Sequence, residues 1–293
     1  MEYKILANGN KIPMLGLGVY QVPDLEVCKQ SVLDAFGMGY RLIDTAEDYG
    51  NEAAVGAAFK ESGLNRDEVF ITSKIWVSNI GYEKTKRAYD AALKRLDMEY
   101  MDLVLLHQSL SDYYGAWRAL EELYKEGRVK AIGVSNFYPE RLADLCSNVE
   151  IKPMVNQIEC HTFYQRPVDL ECAQHFNVAM EAWAPFAEGG RGIWTNEILN
   201  KIASAHGKTV AQVALRWNIQ RGVIVIPKST HKNRLEENIN VFDFTLTDEE
   251  MKEIATLDEG HTEIINHHDW RIAEFLNKVQ PADPHAWDGF LKK

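Results

Sequence analysis

Eight strand-like runs alternate with helix-like patterns through most of this chain, and that alternation restricts the fold more than any other feature. The runs fall near residues 15–18, 40–44, 69–74, 101–107, 129–135, 154–159, 178–183 and 223–227. They are short and largely apolar, as strands buried on both faces are. Between them apolar residues recur with a period near 3.6. Asp24 precedes a helical stretch that ends at Gly37, and Thr209 opens one carrying Val210, Val213, Ala214 and Trp217. Strands separated by helices pair in parallel. Eight such units favour an α/β fold closed as a (β/α)8 TIM barrel over a doubly wound sheet, whose first turn would read Gly-x-Gly-x-x-Gly. Gly16-Leu17-Gly18-Val19-Tyr20-Gln21 lacks the third glycine.

Both ends carry additions. Asn8-Gly9 lies between two short apolar runs, which predicts a tight N-terminal β-hairpin that caps one end of the fold. A helical pattern at 248–256 and a polar, aromatic tail after Gly260 read as a C-terminal decoration. No linker, low-complexity stretch or repeat divides the chain, so residues 1–293 read as one barrel domain.

The formal charge of −11 disfavours nucleic acid or an anionic membrane as the main partner and favours a small molecule. No obligate protein partner is implied. Met1-Glu2-Tyr3-Lys4 runs directly into a strand pattern without an apolar targeting segment, and nowhere do about 18 apolar residues run together. A cytoplasmic location is expected. Cys28, Cys146, Cys160 and Cys172 lack Cys-x-x-Cys spacing and read as reduced packing residues. His267-His268-Asp269 has no accompanying ligand spacing, and the first strand does not end in the His-x-His of metal-dependent barrel hydrolases, so no metal is expected.

Chemistry concentrates where the strand-like runs stop. Asp44 ends one run and Tyr49 follows in its loop; Lys74 ends the next and His107 the one after. Parallel barrel strands point their C-terminal ends at one mouth, so these residues converge although they lie far apart in sequence. A phenol with an ordinary pKa of about 10 is a poor acid at neutral pH unless its phenolate is stabilised. The Lys74 ammonium can do that, each pKa unit being worth about 1.4 kcal/mol, and Asp44 is the natural counter-ion of a buried lysine. His107 can donate a hydrogen bond to an oxygen that gains negative charge. This set suits reduction of a carbonyl, with the hydride drawn from a cofactor.

A second signal is basic. Ile226-Pro227-Lys228-Ser229-Thr230-His231-Lys232-Asn233-Arg234 brings fixed positive charges to the exit of the last strand, at the start of a helix, where a cation is electrostatically unfavourable. An anion held by Lys228, Ser229, Arg234 and free backbone N–H groups resolves the conflict, and loops after the last two strands of such barrels are common phosphate sites.

Six segments carry a resemblance that covers nearly the whole chain. They are Arg41-Leu42-Ile43-Asp44-Thr45-Ala46-Glu47-Asp48-Tyr49-Gly50-Asn51-Glu52, Thr72-Ser73-Lys74-Ile75-Trp76, Leu105-Leu106-His107, Gly133-Val134-Ser135-Asn136-Phe137, Val155-Asn156-Gln157-Ile158-Glu159 and Ile226-Pro227-Lys228-Ser229. In that order they resemble the aldo-keto reductases, NADP-dependent enzymes on an α/β barrel, and in particular bacterial diketogluconate and glyoxal reductase-like members. The resemblance implies that Tyr49 is the general acid, that Lys74 and Asp44 lower its pKa, and that His107 orients the carbonyl. It implies that Ser135, Asn136 and Gln157 hold the nicotinamide carboxamide and that Trp183 stacks on the ring. Lys228, Ser229 and Arg234 match positions for the adenosine 2′-phosphate and Glu237 and Asn238 for the adenine, which makes NADPH/NADP+ the cofactor. Tyr20 and Trp76, with His107, are expected at a small carbonyl substrate.

The chain also departs from the family pattern. Gln108-Ser109 follows His107, and a short connection to a helix near Tyr114 predicts a more open pocket; His161-Thr162 stands where His-Pro is usual. The tail from 264 to 293 follows no family pattern. Glu188-Gly189-Gly190-Arg191-Gly192 reads as a mobile loop over the cofactor's pyrophosphate or as a plain turn. The other reading of the whole is an NADPH-binding, redox-sensing or regulatory barrel with little turnover.

Overall fold

The chain, seen in a computed structural model that describes residues 1–283, begins with the expected hairpin. Strands β1 (Tyr3–Ile5) and β2 (Lys11–Pro13) pair antiparallel with Ile5 opposite Lys11. The turn closes through Leu6 N–H donating to the Asn10 carbonyl at 2.8 Å, and Gly9 takes a φ of 87°, which a residue without Cβ adopts at little cost. The side-chain amides of Asn8 and Asn10 donate to the Lys130 carbonyl at 2.9 and 2.7 Å. Lys130 lies just before a barrel strand, so the hairpin covers the N-terminal ends of the strands and leaves their C-terminal ends free.

The eight expected strands form one parallel sheet in sequence order. They are β3 (Leu17–Gly18), β4 (Leu42–Asp44), β5 (Phe70–Ile75), β6 (Leu103–Leu106), β7 (Ile132–Ser135), β8 (Val155–Glu159), β9 (Ala179–Trp183) and β10 (Ile224–Val225). The sheet closes on itself: Leu15 bridges Val225 and Gly18 bridges Lys228, both parallel. At that seam a Cβ on Gly18 would stand 2.8 Å from the Ile226 carbonyl oxygen, so closure requires glycine there. Every residue of β4 to β8 is buried, which explains their near-continuous apolar sequence.

Helices surround the barrel as the periodicity predicts: α1 (Leu25–Gly37), α2 (Glu52–Ser62), α3 (Tyr82–Leu96), α4 (Tyr113–Lys125), α5 (Pro139–Asn148), α6 (Pro167–His175), α7 (Glu197–His206), α8 (Val210–Gln220) and α9 (Lys232–Ile239). Asp24 caps α1 by accepting from the N–H groups of Glu26 and Val27. Thr209 and Gln212 form a reciprocal capping box at α8, and Thr247 and Glu250 form another at α10 (Asp248–Ala255).

The tail is not a decoration. Residues 270–278 form α11 (Trp270–Lys278), capped by Asp269, and Ile272, Leu276 and Val279 bury themselves against Trp76 and Val77. Trp76 Nε1 donates to the Val279 carbonyl at 2.8 Å. The spacing of Ile272, Phe275, Leu276 and Val279 is an amphipathic helix pattern that the reading of the tail as a polar decoration passed over. Residues 284–293, the rest of the tail, lie outside the described residues. Among the described residues no helix is long and apolar enough to cross a membrane.

Candidate active site

The C-terminal ends of the strands surround a cavity of about 680 Å³. Asp44 is the last residue of β4, and a single 3-10 turn (Glu47–Tyr49) then swings Tyr49 back over the strand ends. Lys74, near the end of β5, is fully buried. Its Nζ donates to Asp44 Oδ1 at 2.5 Å, to the Thr45 carbonyl at 2.9 Å and to the Tyr49 hydroxyl at 3.2 Å. The three residues expected to act together are therefore joined through one ammonium. His107 extends the ladder beyond β6, its N–H donating to the Ile75 carbonyl at 3.0 Å. Its ring stands edge-on to Tyr49 with centroids 5.9 Å apart and edge-on to Trp76 at 5.0 Å. Tyr20 packs on Tyr49 at 4.9 Å. Tyr20, Tyr49, Trp76 and His107 all line the cavity.

Burial sets the protonation of this end. It holds the Tyr49 phenol well above its usual value, and the charges of Asp44, Asp48 and Glu181 push the same way. The expectation that Asp44 lowers the Tyr49 pKa is thus corrected: a carboxylate opposes a phenolate. Asp44 instead serves Lys74, the one cation in contact with the phenol among the described residues. Burial also raises Asp44 itself, against the pull of the Lys74 ammonium and the Gln157 amide. His107 lies well below the usual imidazole value because of burial, then Lys74 and His267, so it is a neutral hydrogen-bonding group.

Beside this set, Ser135, Asn136, Gln157 and Trp183 line the adjoining wall. Trp183 Nε1 donates to Asn136 Oδ1 at 2.9 Å, which fixes the indole, and Asn136 Nδ2 donates to the His107 carbonyl at 3.1 Å. Ser135 Oγ donates to the Gln157 carbonyl at 2.9 Å. Asn136 and Ala184, which follow β7 and β9, both have positive φ, 59° and 49°. Left-handed backbone at non-glycine residues is strained and clusters at functional sites.

Lys228, Ser229, Arg234, Glu237 and Asn238 line the far end. Lys228 and Arg234 are exposed, and among the described residues neither makes an ion pair. Ser229 Oγ accepts from the His231 N–H at 3.1 Å, and Glu237 Oε1 accepts from the Thr209 hydroxyl at 2.6 Å. Two exposed cations without an ion pair among the described residues, in an acidic chain, at the start of α9 whose N-cap His231 makes no side-chain cap bond, fit an anionic group.

Several residues at this end escaped the sequence reading. Glu181 on β9 does not line the cavity but is fully buried behind it, joined through Gln157 to Asp44; its signal was a carboxylate inside an apolar strand. The tail supplies Ile264, Ile265 and His267 to the wall, so the short connection after His107 does not leave that side bare. Residues 187–195 form two 3-10 turns, and Arg191 pairs with Glu259 and Glu263. Glu188 and Gly189 from this segment line the cavity. Glu259, His261 and Glu263 are the one cluster with metal-ligand geometry among the described residues, but the Arg191 guanidinium already occupies it. His267 faces the Tyr138 hydroxyl at 3.1 Å rather than any ligand set.

Known proteins resemble the chain over most of its length. The chain is 47% identical over 257 residues to a 9,11-endoperoxide prostaglandin H2 reductase of Trypanosoma cruzi, covering 87% of this chain and 90% of that protein. It is 46% identical over 255 residues to the glyoxal reductase of Bacillus subtilis, covering 87% and 92%. The Bombyx mori aldo-keto reductase solved in complex with NADP superposes with a TM-score of 0.87 at 32% identity, covering 92% of this chain and 96% of that one. Residues 14–259 match the model of the Aldo/keto reductase family, and with them the chain belongs to that family.

Proposed function

We propose that this protein is an NADP-dependent oxidoreductase that reduces small aldehydes and ketones, with Tyr49 as the proton donor. The observation that carries the reading is the buried ammonium of Lys74 shared by Asp44 and Tyr49 at a cavity whose other end holds the exposed Lys228 and Arg234. The glyoxal reductase relative acts on a small dicarbonyl, and the silkworm structure holds NADP, which supports both the substrate class and the cofactor.

When bound, the cofactor supplies a hydride to the carbonyl carbon. The residues do the rest. Lys228 and Arg234 would hold the 2′-phosphate, with Ser229 in the same turn, and Glu237 and Asn238 would serve the adenine. Ser135, Asn136 and Gln157 would hold the carboxamide. Gln157 Nε2 already serves two carboxyl groups, so its Oε1 is the atom left for that amide. Trp183, held by Asn136, offers a fixed aromatic face. His107, neutral, donates to the carbonyl oxygen and orients it, while Tyr20 and Trp76 enclose the substrate and exclude water. The Tyr49 hydroxyl then gives its proton to the oxygen as charge develops, and Lys74 stabilises the phenolate left behind.

NADPH oxidation with methylglyoxal and with an aromatic aldehyde tests this, beside Tyr49→Phe. The expected loss of kcat is about 10²–10⁴-fold with NADPH affinity kept. Tight NADPH binding without Tyr49-dependent turnover would establish the regulatory alternative instead.

A further inference from the structure

The mechanism above leaves unused a buried ionisable group that is hydrogen-bonded into the Asp44–Lys74–Tyr49 set. Glu181, on β9, is fully buried. Gln157 Nε2 donates one hydrogen to Asp44 Oδ2 at 2.8 Å and the other to Glu181 Oε1. With Lys74 and Tyr49 this makes an unbroken hydrogen-bonded chain: Glu181, Gln157, Asp44, Lys74, Tyr49.

Its two carboxyls are served unequally. Asp44 has an ammonium on one oxygen and an amide on the other. Glu181 has one amide hydrogen and, among the described residues, no cation in contact and an Oε2 with no partner. A carboxylate so poorly solvated is costly, whereas a carboxylic acid there is not. The charged and titratable groups that act on it are Asp44 from β4, Lys74 from β5 and, at the chain's end, Tyr49. The neighbouring β10 brings only Ile224 and Val225. Beyond Tyr49 stand Asp48 and the neutral His107. Burial, then the Asp44 charge, pushes Glu181 up to about 8.

We propose that Glu181 is a positioning residue of the proton-donating chain. With its proton it leaves Lys74 a single carboxylate to neutralise, and without it a second negative charge makes Tyr49 a weaker acid. The proton exchanges with solvent, and no other bond changes. This makes carbonyl reduction sensitive to mild alkali through a residue remote from the substrate. The inference rests on the assignment of Tyr49 as acid, and the tests separate the two.

Glu181→Gln keeps the shape and the neutral state. In the wild-type protein kcat/KM for reduction should fall about three- to tenfold through an alkaline limb near the Glu181 transition, and in Glu181→Gln that limb should vanish while the rate at pH 6 stays. An identical limb in both proteins would overturn the proposal. Glu181→Asp, which keeps an ionisable group, should retain a limb; losing it as Glu181→Gln does would assign the effect to packing. Infrared titration of the cofactor-free wild-type protein with carbon-13-labelled glutamate reads the same event without turnover. A carboxylic-acid band that persists at pH 6–7 and disappears by pH 9.5 supports the proposal, and absence of any protonated glutamate at pH 7 refutes it. If Tyr49→Phe proves fully active, the acid assignment fails while the infrared result still reports on Glu181.

Discussion

At one end of the cavity Lys74 is wholly buried, 2.5 Å from Asp44 and 3.2 Å from the Tyr49 hydroxyl; at the other, Lys228 and Arg234 are exposed and form no ion pair among the described residues. The same kind of charge has two uses. A buried cation must be paired, so Lys74 is committed to the protein's own groups and can only tune a neighbour. An exposed cation keeps its solvation, needs no partner to be tolerated, and remains available to a ligand. On the proposed function, one end serves the chemistry and the other holds the cofactor.

Removing the buried cation should do the most damage. Lys74→Met leaves Asp44 buried and unpaired, which should cost about 3–5 kcal/mol of stability and lower kcat by about 10²–10⁴-fold. Urea unfolding and single-turnover kinetics measure the two. A stable, active variant would erase the distinction between the ends. Arg234→Ala or Lys228→Ala should weaken NADPH by about 10–100-fold, leave NADH within about twofold and leave the melting temperature unchanged. Isothermal titration with both cofactors checks this, and equal losses for the two would remove the 2′-phosphate assignment.

The third difference is in pH. The folded-state pKa of Glu181 stands near 8 against an ordinary 4.5, so its favourable contribution is present below 4.5 and is lost as pH rises through 8. The raised Asp44 acts in the same sense. Glu181→Gln should therefore flatten the fall in unfolding free energy between pH about 4.5 and about 8, read from urea melts across that range. An unchanged slope would place the proton elsewhere. Salt should give the smallest effect. Raising ionic strength from about 0.05 to 0.5 M should weaken NADPH several-fold by screening the exposed cations, while the single-turnover rate at saturating cofactor changes by less than about twofold.

Part of this site was legible because barrel strands share a direction. Asp44, Lys74 and His107 each end an apolar run, and equal position in a repeating unit becomes proximity once the sheet closes. The basic residues from Lys228 to Arg234 stood out against the charge of the rest. The C-terminal helix was missed by the sequence reading, although Ile272, Leu276 and Val279 carry helical spacing, and only the structure shows that it lies on Trp76 and that residues before it wall the pocket. Nothing local marks that destination, because the contact joins segments about 200 residues apart in the chain.

The sequence by itself determined the alternation of strands and helices, the closing hairpin and the identity of the residues at the strand ends, since these follow from periodicity and local hydrogen bonding. Tertiary structure alone decided that Gln157 on β8 spans the barrel interior to Asp44 on β4, a strand it does not pair with, and ties Glu181 to both. It also reversed the sense in which Asp44 acts on Tyr49. Both outcomes depend on distance and burial, and a pattern of residues fixes neither until the barrel has closed.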